Sequence, residues 1–461
     1  MEKGNHAVTP TEPSAPTATQ RLLEIHSLLT EVTSSPWSHD ALELAMATAV
    51  SLRISEQDKT ALVWLLIVGA PSGDKTSSVL LLKEAQQHVY YADSVTENFL
   101  ASGYRDDETR KRAPNLLEEM NGKCLVLKEL STVFSLHPQK VKKFLGDLLA
   151  IFDREYHKLT GTLGRVGGTS AFSMVACITP VALLEHHEYM SRIGPRFLAY
   201  RLPQLTDDER AEGLAILWNA PKGAGRRASL SRLGELVADH IRSLMVACPE
   251  FELERPHEQD IINRLGALVA HGRAVVRRER IYDPDTGREE YEPELVQREE
   301  PFRAQQQLRN LGRALAWIHG RTRVTGHELE MVRRVAIGSL PAGRAEVLAL
   351  LPAHPGGLTV NACAAGIGKS VGRARQLLDE LVLVGLLTPA EAASTGGRPG
   401  TIYTPIPRFV DLLTQPTTRL DHLVDLHEGD FLHNSDSRLI HQEQPSCQTC
   451  KESLPGPEGE L

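Results

Sequence analysis

The chain has 461 residues, 41% of them hydrophobic and 24% charged, with a formal net charge of −8 at pH 7. This balance fits a folded globular protein of two to four domains, and it excludes a disordered polyelectrolyte or a protein coated in basic surface. Any nucleic-acid contact must therefore come from local basic patches, and no apolar run nears the ~18 residues of a membrane span.

Residues 1–20 are polar and rich in Pro, Thr and Ala, and they read as a disordered leader without the apolar stretch of a signal peptide. Six cysteines, mostly isolated in apolar segments, suit a reducing compartment, so a cytoplasmic protein is expected. Residues 21–60 hold two helical segments, "RLLEIHSLLTEV" and "HDALELAMATAVSLRI", the second with apolar residues at helical spacing. Between 61 and 205, short β-rich runs ("VWLLIVG", "CLVLKEL", "FSMVACITP", "FLAYRLP") alternate with helical ones. That alternation predicts an α/β fold with a parallel sheet and crossover helices. Residues 206–343 are mostly helical, interrupted by the charged stretch "RRERIYDPDTGREEYEPE", whose "DPDTG" signals a turn. A small separate unit is expected over 344–410, followed by a polar, flexible tail over 411–461.

The stretch that bears chemistry is "VGAPSGDKTS", which follows an apolar strand and precedes a helical run. In a phosphate-binding loop, successive backbone N–H groups converge on phosphate, a Lys reaches the terminal phosphates and a Ser or Thr holds magnesium. Gly69, Ala70, Pro71, Ser72, Gly73, Asp74, Lys75, Thr76 and Ser77 supply such a loop. The second glycine stands one position early, and Asp74 puts a negative side chain where the backbone should approach phosphate. An ordinary strand–turn–helix connection is the competing reading. An ATPase also needs an acid at the end of a neighbouring strand. "KCLVLKELS" offers Glu129 for magnesium and for orienting water, with Lys128 in the place of a first acid. "SMVACITP" ends on Thr179, a polar residue suited to the γ-phosphate.

In their order along the chain, these pieces resemble an AAA+ ATPase, most closely the branch of minichromosome-maintenance helicases and related ATPases of phages and integrative elements. The resemblance covers about residues 36–407. "FDREYHKLTGTLG" is similar to the family hairpin that projects basic residues into a ring's central channel, which implies a DNA role for Lys158 and Arg165. "RIGPRFLAYRLP" resembles the arginine-finger segment, with Arg196 the first candidate and Arg192 the second. "EEPFRAQQQLRNLGRALAWIHGRTRVTGHELEMVRRV" is similar to the helical lid, with Arg303 in the place of the second sensor arginine. The resemblance implies ATP and Mg²⁺ as cofactors, with Lys75 and Thr76 on phosphate and metal, Glu129 as the acid and Thr179 as a sensor. Without it, the three arginines and the two hairpin cations read as solvated or salt-bridged surface residues.

The unit over 344–410 has its own logic: a helix, a short helix "TVNACAAG", a turn at "IGKS", a longer amphipathic helix and a glycine-rich "TGGRPG" tip. This resembles a winged helix, in which Lys369, Ser370, Arg373 and Arg375 would face a DNA groove and Arg398 would reach a phosphate from the wing. Such modules also serve as pure protein contacts. Cys447, Cys450 and His441 offer an incomplete set of zinc ligands. The expectation is an ATP-binding ring that remodels or unwinds DNA. The alternative is a DNA-binding adaptor or regulator whose degenerate nucleotide site serves assembly.

Overall fold

The computed structural model describes residues 16–95, 116–160, 164–186, 196–283, 288–391 and 400–415. Five parallel strands form the central sheet: β1 (Trp64–Val68), β2 (Val89–Ala92), β3 (Cys124–Leu127), β6 (Ser173–Ile178) and β7 (Phe197–Arg201). Between β3 and β6 in the chain, β4 (Glu155–Thr160) and β5 (Gly164–Thr169) pair as an antiparallel hairpin. The order in the sheet is β2-β3-β6-β1-β7. The strands are near-continuous apolar runs because both faces are covered. Leu65, Ile67, Val126, Val175 and Cys177 point into one core, while Trp64, Leu66, Leu125, Met174 and Ile178 point into the other. The strand that precedes Glu129, β3, is not next to β1, because β6 lies between them.

One face of the sheet is covered by the helix Ser38–Asp58, with 17 of its 21 residues buried. It runs between the sheet and the helix Phe302–Ile318, so the N-terminal segment is an inner layer rather than an appendage. Ala41, Ala45, Ala47 and Ala49 permit that close packing. The opposite face carries the amphipathic helix Pro138–Phe152, which buries Val141, Phe144, Leu145, Leu148 and Ile151.

Outside the inner layer stand the helices Ala224–Leu244, Pro256–Gly272 and Gly326–Gly338. The last of these ends hard against β7. A Cβ at Gly338 would lie 2.5 Å from the Ala199 carbonyl oxygen, so only glycine fits there. The charged stretch forms the antiparallel hairpin Val275–Asp283 with Arg288–Gln297. Glu254, just before Pro256–Gly272, accepts paired hydrogen bonds from Arg309 (2.9 and 2.8 Å) and Arg313 (2.6 and 3.2 Å), which fastens that connection to Phe302–Ile318.

The C-terminal unit comprises the helices Ala342–Leu348, Val360–Ile367 and Val371–Leu383 and a three-stranded antiparallel sheet of Leu358–Thr359, Thr401–Pro405 and Leu387–Glu391. It was expected to stand apart. Instead Leu377, Leu378, Leu381 and Tyr403 belong to the same apolar cluster as the outer helices and one face of the sheet. Buried Arg344 closes the seam, donating to the Gly272 and Ala274 carbonyls at 2.9 and 2.7 Å. Among the described residues, no helix is long and apolar enough to cross a membrane.

Candidate functional site

Because β1, β3 and β6 run parallel, the residues that follow each strand emerge at one edge of the sheet, where open α/β folds bind ligands. The Gly69 amide donates to the Ile178 carbonyl at 3.2 Å, which pins the start of the loop to β6. Gly73 N–H closes a turn onto the Ala70 carbonyl at 3.3 Å. Ser72 and Asp74 have φ of 60° and 56°, the left-handed region that glycine takes without strain. The chain leaves the loop through the short helix Lys75–Leu80, which tightens into a 3₁₀ turn over Leu81–Glu84.

Asp74 does not face the phosphate path. Its Oδ2 accepts hydrogen bonds from the Ser34 amide at 2.8 Å and the Ser34 hydroxyl at 2.7 Å, which turns the carboxylate toward the connection between the first two helices. Ser34 is held from its far side by the helix Asp207–Asn219, where a Cβ on Gly213 would lie 2.1 Å from the Ser34 carbonyl oxygen. The negative charge that the sequence sets beside phosphate is thus committed elsewhere. Lys75 is 5% exposed, and its ammonium donates to the Ala70 carbonyl at 3.3 Å. Among the described residues it forms no ion pair. A buried ammonium with one carbonyl and no carboxylate is costly unless an anion arrives. The loop therefore fits a phosphate group, with half-buried Thr76 and exposed Ser77 beside it.

The acid turn meets the same edge. Leu130 N–H donates to the Cys177 carbonyl at 2.8 Å, and the Cys177 thiol lies 3.8 Å from the Lys75 carbonyl. Burial pushes that thiol up to about 12; the Lys75 charge opposes the rise and the Glu129 charge adds to it, so both groups lie within electrostatic reach of one side chain. Glu129 Oε1 accepts from the Ser131 hydroxyl at 2.9 Å and stays half-buried, leaving carboxylate lone pairs for a magnesium ion. Lys128 leans away toward the end of β2, 3.7 Å from Asp93 Oδ1, which also accepts from the Tyr91 hydroxyl at 2.7 Å. The Thr179 hydroxyl caps the helix Pro180–Glu185 by accepting from Ala182 N–H at 3.3 Å, and its own proton remains available to an acceptor.

Arg196 and Arg303 occupy the other edge. Gln307 Nε2 donates to the carbonyls of Leu62 at 3.0 Å and Arg196 at 2.7 Å, just before β1 and β7 begin. A five-residue strand spans about 16 Å, so neither arginine reaches the loop of its own chain. Their guanidinium carbons each lie 5.9 Å from the Phe152 ring centre, and Arg196 stands 3.8 Å from Asp153. Burial and then Arg303 depress the Arg196 pKa, against Asp153 and Glu299. A groove of about 380 Å³ opens here, lined by Lys59, Phe152, Asp153, Arg154 and Arg303 among others.

In β4 and β5, Lys158 pairs with Val166 and Arg165 with Leu159, and the side chains of those two cations lie outside the described residues. Arg192, Arg398, His441, Cys447 and Cys450 lie outside them altogether. On the C-terminal unit, exposed Lys369 pairs with Glu346. Ser370 caps Val371–Leu383 by accepting from Arg373 N–H at 3.3 Å, and exposed Arg373 donates to Gln376 at 2.7 Å. Arg375 is also exposed.

Sequence reasoning missed Ser34, Gly213 and Asp93, which set the conformation of the site without touching a ligand. Ser34 carried a faint signal as part of "TSSP", a polar break between two helical runs. No protein-family model matches the chain, and no curated protein matches it.

Proposed function

We propose that the chain binds a nucleoside triphosphate with magnesium at Gly69–Ser77, in the manner of an AAA+ ATPase, and works as a ring on DNA. The observation that carries this reading is the buried Lys75, whose ammonium has a carbonyl partner but no carboxylate among the described residues, on the loop that follows the central strand and on the same edge as Glu129 and Thr179. Lys75 would hold the terminal phosphates, and Thr76 and Glu129 the magnesium, while Thr179 would donate its proton to the γ-phosphate. ATP bound there brings the phosphoanhydride that is cleaved. Arg196, about a strand length away, would serve a neighbouring subunit's nucleotide in a homo-oligomer, while Arg303, the expected lid sensor, stands at that same far edge and out of reach of its own chain's loop. The three helices and three-stranded sheet of the C-terminal unit support a winged helix, with Arg373 and Arg375 toward DNA.

A specific observation favours slow turnover. Lys128 stands in the place of a first acid and is directed toward Asp93, so magnesium has one carboxylate on this turn. The site then serves to set the state of the assembly, which approaches the adaptor reading. Calorimetric titration with Mg²⁺–ATP tests binding: Lys75→Ala should weaken affinity at least about tenfold, and equal affinities would sink the nucleotide reading. Hydrolysis with and without duplex DNA then separates a motor from an adaptor.

A further inference from the structure

Away from the sheet edge, a cluster of polar side chains meets in the core where the helix Ser38–Asp58 packs against the turn from Phe302–Ile318 into Gly326–Gly338. Glu43, His319 and His327 are 1%, 2% and 7% exposed. One donor atom from each lies within 4.8 Å of the other two. Glu43 Oε2 stands 3.1 Å from His319 Nε2 and 3.9 Å from His327 Nε2, and the two rings meet edge to face at 5.0 Å. Ligands at about 2.1 Å around a tetrahedral ion are about 3.4 Å apart, which these separations bracket.

The outer shell is also that of a metal centre. His319 Nδ1 lies 2.8 Å from Glu328 Oε1, the carboxylate contact that orients a ligating imidazole, and a metal at Nε2 would replace its present contact with Glu43. Arg321 in turn bonds Glu328. The second oxygen of Glu43, Oε1, is 2.7 Å from His26 Nε2, and His26 Nδ1 is 2.6 Å from His39 Nδ1. Two buried carboxylates thus face one guanidinium and several imidazoles, an anionic and imidazole-rich lining suited to a cation.

We propose that Glu43, His319 and His327 form a structural site for a divalent transition ion of the zinc class, with a fourth position for water. The ion would join the inner helix, through Glu43, to the turn between Phe302–Ile318 and Gly326–Gly338, two segments far apart in sequence. The proposal is independent of the nucleotide reading, since none of these residues lies at the sheet edge that carries it.

The test is to strip the full-length protein with a chelator and titrate it with Co²⁺ and then Zn²⁺. One equivalent should bind, with a visible spectrum of nitrogen and oxygen ligands and no sulfur-to-cobalt charge-transfer band. His327→Gln should abolish that spectrum, and Glu328→Gln should weaken the affinity about 10–100-fold. Cys447→Ser/Cys450→Ser should leave it unchanged. Should His327→Gln fail to fold, the wild-type spectrum and the Cys double variant still decide. The proposal is overturned if the wild type binds no cobalt. It is equally overturned if the bound cobalt shows the thiolate band and is lost in the Cys double variant.

Discussion

Asp74 takes a left-handed backbone at a cost of about 1 kcal/mol, and its two hydrogen bonds from Ser34 offset that cost. Bonds to a charged acceptor contribute about 1.5–3 kcal/mol each, so the tether outweighs the strain. Asp74→Gly would relax the backbone and free Ser34, with an expected net loss of about 2–5 kcal/mol, measured by urea denaturation without nucleotide. Lys75 should behave in the opposite sense. Its buried charge has one carbonyl partner, so Lys75→Met should raise the stability of the ligand-free protein while abolishing nucleotide binding, a trade of stability for function. A Lys75→Met variant less stable than wild type would identify the ammonium as part of the fold. The strand–loop–helix order that places Lys75 and Thr76 after β1, and the strand before Glu129, were legible because such spacing is local. The sequence left the direction of Asp74 open, because Ser34 lies forty positions away and only tertiary packing brings them together.

At the scale of elements, the Glu254 clamp gives a pH dependence with a definite sign. Burial alone would raise its pKa, but Arg309 and Arg313 hold the carboxyl down at about 2. A group titrating lower in the fold than in the unfolded chain stabilises fully above its unfolded pKa, and the contribution fades as pH falls toward the folded value. About 3 kcal/mol should therefore disappear between about pH 4.5 and pH 2. Glu254→Gln should flatten the acid limb of the stability curve, and an unchanged limb would remove Glu254 from the account. In Val371–Leu383, the buried and exposed faces predict separate losses. Leu378→Ala should cost about 2–5 kcal/mol. Arg373→Ala with Arg375→Ala should leave the melting temperature alone and lower the salt dependence of duplex binding. Strand and helix periods made most elements readable, including the two strands on either side of "DPDTG", of which residues 284–287 lie outside the described residues. The helix Ser38–Asp58 was readable as a helix but not as an inner layer, since alternating Ala with His, Asp and Glu conceals a fully buried position.

For the whole molecule, the apolar cluster that runs from the inner helix through the outer helices into the C-terminal unit implies one cooperative melting transition rather than two. Calorimetry should show a single peak for the described body, and a resolved second peak would restore an independent C-terminal module. The Ser34 tether has a further consequence. The loop over residues 69–77 and the first interhelical connection are joined by hydrogen bonds at Ser34, and the helix Asp207–Asn219 passes close to the same serine, so a nucleotide bound as proposed should order all three. Thermodynamic reciprocity then links the two ends: if nucleotide binds as proposed and changes the affinity of that helix for a partner, the partner changes nucleotide affinity by the same factor. That helix leaves Leu214, Leu217 and Trp218 exposed at 54%, 44% and 75%. In amide exchange, protection gained on adding nucleotide should therefore extend beyond residues 69–77 to residues 33–36 and 207–219, and Ser34→Ala should confine it to the loop.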